Sequence, residues 1–126
     1  MDKGILITAD NKICIKDFER PLYESVGAAV GGCIELVRCA AFPSPIKNAV
    51  MIVCDDGLLK NLRLNMAGSC MYGTPFHGSP IVGDIVIMKM GYTDDGPDVV
   101  GLTNEESINY YDAFVKTFRY LKENSK

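Results

Sequence analysis

AVMIVCDDGLLKNLRLNMAGSCMYG, residues 49–73, decides the fold, because an unbroken apolar run meets a turn signal and then a second, alternating run. Residues 49–54 are apolar at every position, as a strand covered on both faces must be. Asp56-Gly57 is a strong short-range signal for a hairpin. The run after it sets Asn61, Arg63 and Asn65 on one face of an expected strand and Leu62 and Leu64 on the other. On this reading residues 49–65 are a β-hairpin whose first strand is central, and residues 66–73 are a turn.

Working outward, GILITAD (4–10) and KICIKDF (12–18) are β-branched runs divided by Asp10-Asn11, residues that tolerate a left-handed turn backbone. They form an expected first hairpin. Residues 20–30 then place Leu22, Val26, Ala29 and Val30 at helical spacing, with Pro21 in the first turn and Gly31-Gly32 as the stop. CIELVRCA (33–40) reads as a strand and FPSPIK (42–47) as a proline-rich loop. SPIVGDIVIMKM (79–90) holds a turn at Gly83-Asp84 and a strong strand, with Ile85 and Ile87 opposite Val86 and Met88. GYTDDGPDVV (91–100) reads as a polar loop that regains extended structure at Val99-Val100. Thr103 and Glu106 have capping-box spacing, and Ile108, Tyr111, Phe114, Val115, Phe118 and Leu121 mark a wide apolar face.

The expected fold is therefore a single α+β domain spanning residues 1–126. It has a mixed, mainly antiparallel sheet of about five or six strands, one short helix, and a longer C-terminal helix at about 103–123. Apolar (48%) and charged (23%) fractions are those of a globular chain, which excludes long disordered tracts. The 13 basic and 16 acidic residues are dispersed, so no basic stripe marks a nucleic-acid surface. No stretch approaches the roughly 18 apolar residues of a membrane span, and the N-terminal apolar run is short for a signal peptide. Cys14, Cys33, Cys39, Cys54 and Cys70 contain no CxxC pair and read mostly as buried hydrophobes of a reducing, cytoplasmic compartment.

The opening GILITAD, VGGCIELV (30–37), LNMAGSCMYG (64–73), IVGDIVI (81–87) and VGLT (100–103), in that order, resemble a family of small proteins classed as a domain of unknown function. The family is found mainly in phages and mobile elements of Firmicutes. The resemblance implies a small, non-enzymatic accessory protein with no active site to carry over. The family pattern has a proline and a larger residue after the asparagine, where this chain has Met66 and Ala67.

Several chemistries can be weighed from the residues. Cys70 and His77 would have to supply nucleophile and base for a cysteine-dependent hydrolase, but no orienting third group is legible. One histidine and scattered cysteines give no zinc spacing, and Asp94, Asp95 and Asp98 lack the alternation of a calcium loop. Gly27, Gly31 and Gly32 interrupt or follow a helix, whereas a phosphate-binding glycine loop precedes one. No metal or cofactor is expected.

Binding without chemistry is the leading expectation. Arg63 and Asn65 on one strand face, Ser69 in the turn and Tyr72 beyond it would offer a charge-assisted donor, an amide, a turn and an aromatic plate. That set suits a nucleotide-like small molecule, in particular a nucleotide-derived defence signal sequestered by a mobile-element protein. The alternative is an interaction module that inhibits a host enzyme through its C-terminal helix or an open sheet edge. Tyr110, Tyr111, Phe114, Phe118 and Tyr120 exceed what one sheet contact needs, which leaves aromatic surface for a homodimer or partner interface.

Overall fold

The computed structural model describes residues 1–38, 44–73 and 80–124, with side chains as far as Phe118. The elements run β1 (Asp2–Ile7), β2 (Ile13–Phe18), α1 (Leu22–Val30), β3 (Ile34–Val37), β4 (Ala49–Cys54), α2 (Met66–Tyr72), β5 (Ile85–Thr93), β6 (Gly96–Val100) and α3 (Asn104–Asn124). This is the expected α+β class, with six strands and one helix more than the sequence predicts. The sheet order is β2-β1-β5-β4-β3, and every pairing described is antiparallel. β1 pairs with residues 85–87 of β5, and β6 pairs with its far half, Lys89 to Thr93. The two strands therefore lie end to end along the flank of β5 opposite β4, joined by the Lys3–Leu102 bridge.

The apolar alternation explains the layers. Val50, Ile52, Cys54, Val86 and Met88 face one side and are covered by Val26 and Val30 of α1. Met51, Val53, Ile85 and Ile87, with Ile5 and Ile7, face the other side, beneath α2 and α3. β4 and β5 are thus apolar on both faces because helices cover both, as the sequence implies for residues 49–54.

Three expectations need correction. Residues 58–65 do not return as the second strand of a hairpin. After β4 the chain makes tight turns through residue 61, with Lys60 N–H bonded to the Asp56 carbonyl at 3.0 Å and Asn61 in the left-handed region at φ 58°. Gly57 is not a left-handed turn residue. It permits close approach, since a Cβ there would lie 2.8 Å from Val82 Cγ2. Because β3 and β5 occupy both edges of β4, no edge is left for a returning strand.

The second correction is that GYTDDGPDVV is a hairpin rather than a loop, closed around Asp94-Asp95 with Thr93 opposite Gly96 at φ 106°. The third concerns α3. Its buried line is Ser107, Tyr110 and Phe114, while Ile108 is 55% exposed. Ser107 is small enough to bring this side of the helix close to the sheet, which rotates the seam away from Ile108. Tyr110 and Phe114 are thereby absorbed into the core, and Tyr111 and Phe118 are only partly buried. Leu121 and Tyr120 fall outside the residues whose side chains are described.

The capping box at the start of α3 is present. Thr103 N–H donates to Glu106 Oε1 at 2.9 Å, and Glu106 N–H donates to Thr103 Oγ1 at 3.1 Å. Lys89 Nζ donates to the same Glu106 Oε1 at 2.8 Å, tying the helix start to β5. The Lys89 ammonium first, and the Thr103 backbone N–H second, hold the Glu106 carboxyl below its ordinary value of 4.5. A carboxylate with a depressed folded-state pKa stabilises the fold above its unfolded value, and that contribution is lost as pH falls through the folded value. Stability should therefore begin to drop below about pH 4.5. Glu106→Gln should flatten that part of the curve by an amount on the order of 1 kcal/mol or less. Chemical denaturation across the acid range checks it.

Candidate functional site

The 62–73 corner is a structural clasp. Asn65 is fully buried and caps α2: its Oδ1 accepts from Gly68 N–H at 2.8 Å. Its Nδ2 donates to the Ile7 carbonyl at 3.1 Å and the Gly83 carbonyl at 2.9 Å. One amide thus joins α2, β1 and the entry to β5, with every polar atom committed. Ser69, also buried, donates its hydroxyl to the Ile81 carbonyl at 3.2 Å and accepts from Ile81 N–H at 2.9 Å. The expected outward pairing of Arg63 with Asn65 is not formed, because the segment between them is not a regular strand. Leu64 makes only an isolated bridge to Val82 and is 43% exposed, while Asn65 turns inward.

Arg63 and Tyr72 face different clefts. Arg63 borders a cleft of about 620 Å³ with the β1–β2 turn (Thr8, Asp10, Lys12), the end of α1, Gly83 and Asp84. Its charges are largely matched internally. Lys12 pairs with Asp10 at 3.5 Å, and Asp84 Oδ1 accepts from Ala9 N–H at 2.9 Å. The Thr8 hydroxyl, hydrogen-bonded to Asp10, is the main reason that carboxyl lies below its ordinary value. Among the described residues the Arg63 guanidinium has neither ion-pair nor hydrogen-bond partner.

Tyr72 is half-buried in a second cleft of about 590 Å³, on the α2 side of the sheet beside β3. Val37, Val53, Ile81 and Val82 supply apolar lining, Leu58 and Leu59 stand at it from the turn after β4, and Glu35, Asp55 and Asp56 bring three carboxylates. Leu58 is 55% and Leu59 90% exposed. Asp56 is occupied: it accepts from Cys54 Sγ at 3.1 Å and pairs with Lys60 at 3.3 Å, while Lys60 also donates to the Gly31 carbonyl at 2.9 Å. The Cys54 thiol donor, then Lys60, holds Asp56 below its ordinary value, and Asp56 in turn raises Lys60. Glu35 and Asp55 carry no ion pair or side-chain hydrogen bond among the described residues.

Cys54, Asp55 and Asp56 place ligand atoms within 4.8 Å of one another, the one such grouping among the described residues. Asp94, Asp95 and Asp98 form none; Asp98 Oδ1 instead accepts from Val99 N–H at 2.7 Å. Burial, then the hydrogen bond to Asp56, pushes the Cys54 thiol up, away from the thiolate that a nucleophile or metal ligand needs. Of the cysteines described, Cys54 alone is buried, and Cys14, Cys33 and Cys70 are exposed, contrary to the expectation of a mostly buried set. β2, which carries Cys14, is an edge strand with one face largely uncovered. Cys39 and His77, and with His77 the Cys70–His77 pair, lie outside the described residues.

Sequence reasoning missed Leu58, Leu59, Glu35 and Asp55. The available signal was the leucine pair itself: adjacent apolar residues after an acidic turn break the alternation of the expected half-buried strand, leaving one of them to face away from the core. No helix among the described residues is long and apolar enough to cross a membrane.

A search of curated proteins finds no match. Among solved structures the chain is similar to one titled "Crystal structure of small RNA methyltransferase HEN1", at TM-score 0.52 and 16% identity. The alignment covers 83% of this chain but only 15% of that one, and at this identity it shows likeness of fold alone. The family model described as a domain of unknown function, DUF3846, matches residues 1–115, nearly the whole of the sheet, clasp and helices just described, and the chain belongs to that family.

Proposed function

We propose that this chain is a non-enzymatic binding protein that docks another protein at the cleft beside β3. The observation that carries the reading is the exposure of Leu58 and Leu59 at a cleft of mixed apolar and acidic lining next to a terminal strand. Single exposed leucines are ordinary, but an adjacent pair that continues the apolar lining of a cleft forms a contiguous exposed patch, which supports a contact surface. A phage or mobile-element setting, with a host enzyme as the docked protein, belongs to the same proposal and rests on the resemblance of the segments around LNMAGSCMYG and IVGDIVI.

Partner capture from host lysate, followed quantitatively, tests it. The Leu58→Ser, Leu59→Ser double variant should retain at least about tenfold less of the captured protein, the loss expected from truncating a central apolar anchor. Its melting temperature should be nearly unchanged. Undiminished capture would reject the surface.

One observation favours a second reading. The unpaired Arg63 guanidinium beside the first cleft supports recognition of a phosphate-bearing ligand, such as a nucleotide-derived defence signal. That reading has lost two of its four expected contacts, since Asn65 and Ser69 are committed to backbone. A nucleotide that raised the melting temperature of the native protein but not of Arg63→Ala would restore it.

A further inference from the structure

We infer that the outer edge of β3 accepts an extended segment of the partner protein as an added strand, and that this segment alternates basic with apolar side chains. The inference rests on the docking function proposed above and specifies its mode and partner class.

The first support is the hydrogen-bond phase of β3. Asp55 N–H donates to the Cys33 carbonyl at 2.9 Å, which makes residues 33 and 55 a bonded pair of the antiparallel ladder. With Ile34 opposite Cys54, the next bonded pairs are Glu35–Val53 and Val37–Met51. Ile34 and Leu36 fall between them, so their N–H and C=O groups point away from β4, toward the side where no strand among the described residues lies. An added strand needs this row of outward donors and acceptors.

The second support is what the edge lacks. Natural edge strands are blunted by shortness, charge, proline or bulges, and β3, four residues long, carries a single charge, the acidic Glu35. β2, at the opposite end of the sheet, carries Lys16 and Asp17, with Asp17 paired to Lys3 at 3.0 Å. β3 reads IELV, with Leu36 43% exposed and no basic residue.

The third support is charge. On the cleft side the added strand would meet Glu35 and Asp55, both without ion pairs among the described residues, beside the apolar lining of Val37 and Val53. Successive side chains of an added strand face opposite sides, so basic residues at every second position would meet these carboxylates and the apolar ones between them would lie beside Ile34 and Leu36 on the other face. A second copy of this chain would bring the same carboxylates, like charge against like.

The test uses the full chain, isotope-labelled for amide NMR, titrated with a short alternating Lys–Val peptide and with its Glu–Val counterpart. The Lys–Val peptide should shift the Ile34 and Leu36 amides and slow their exchange, and the Glu–Val peptide should not. Leu36→Pro removes an outward N–H without breaking a bond to β4, so the variant should fold. It should bind the Lys–Val peptide at least about tenfold more weakly, the equivalent of about one lost hydrogen bond. Glu35→Lys with Asp55→Lys should do the same by charge.

Binding unaffected by Leu36→Pro, shifts centred on β2, or dimerisation through β3 in sedimentation would each overturn the inference. If no peptide reaches β3 while the Leu58→Ser, Leu59→Ser protein still loses its captured partner, strand addition is overturned and the docking function stands.

Discussion

Asn65→Ala should destabilise the protein by about 3–5 kcal/mol, combining a lost helix cap of about 1 kcal/mol with two buried carbonyls and an N–H deprived of their partner. In a domain of this size that is a fall in melting temperature of more than about 10 °C. Asn65→Asp sharpens the result. Aspartate caps helices as well as asparagine does, but here it would set a carboxylate oxygen against the Ile7 and Gly83 carbonyls, which need a donor. Aspartate should therefore be no better than alanine. Arg63→Ala, two residues away and exposed, should change stability by no more than about 0.5 kcal/mol. Urea unfolding of the three variants separates a clasp from a ligand site: equal, small effects at positions 63 and 65 would contradict the clasp.

The second large effect lies in α3. Tyr110 is fully buried between helix and sheet, so Tyr110→Ala should cost about 3–5 kcal/mol through the cavity it leaves. Ile108→Ala should cost within about 0.5 kcal/mol, because that side chain is more than half exposed. The reverse ranking in calorimetric or urea unfolding would put the seam where hydrophobic periodicity alone places it.

That contrast shows what the sequence does and does not make legible. Strands β1, β2, β4 and the first part of β5 are written as local β-branched runs, and the facing of Ile85 and Ile87 against Val86 and Met88 is simply the pleat. Helix α1 is punctuated by Pro21 and Gly31, and α3 by its capping box, so their existence is legible too. The seam of α3 is not, because Ile108 outranks Ser107 in hydrophobicity, while a small residue at the contact determines which side can approach the sheet.

Asn65 and Ser69 take a different role from the expected one for a tertiary reason. Residues 58–65 look like a strand, but both edges of β4 are already taken by β3 and β5, and strand order is not a local property. Once that edge is closed, the polar residues of the run change meaning. Asn65 turns inward to serve two distant carbonyls, and the neighbouring leucines 58 and 59 are left at the surface. The stretch that first reads as a polar binding face is the fastening, and the proposed contact surface lies beside it.

Hydrogen–deuterium exchange of the chain, alone and with a protein recovered in the capture experiment, tests this proposed division of labour most directly. New protection is expected at residues 34–37 and 55–60 on binding, with α2 at 66–72 already protected and unchanged. Protection centred instead on residues 8–12, 28–31 and 83–84, around Arg63, with the β3 edge unaffected, would contradict it.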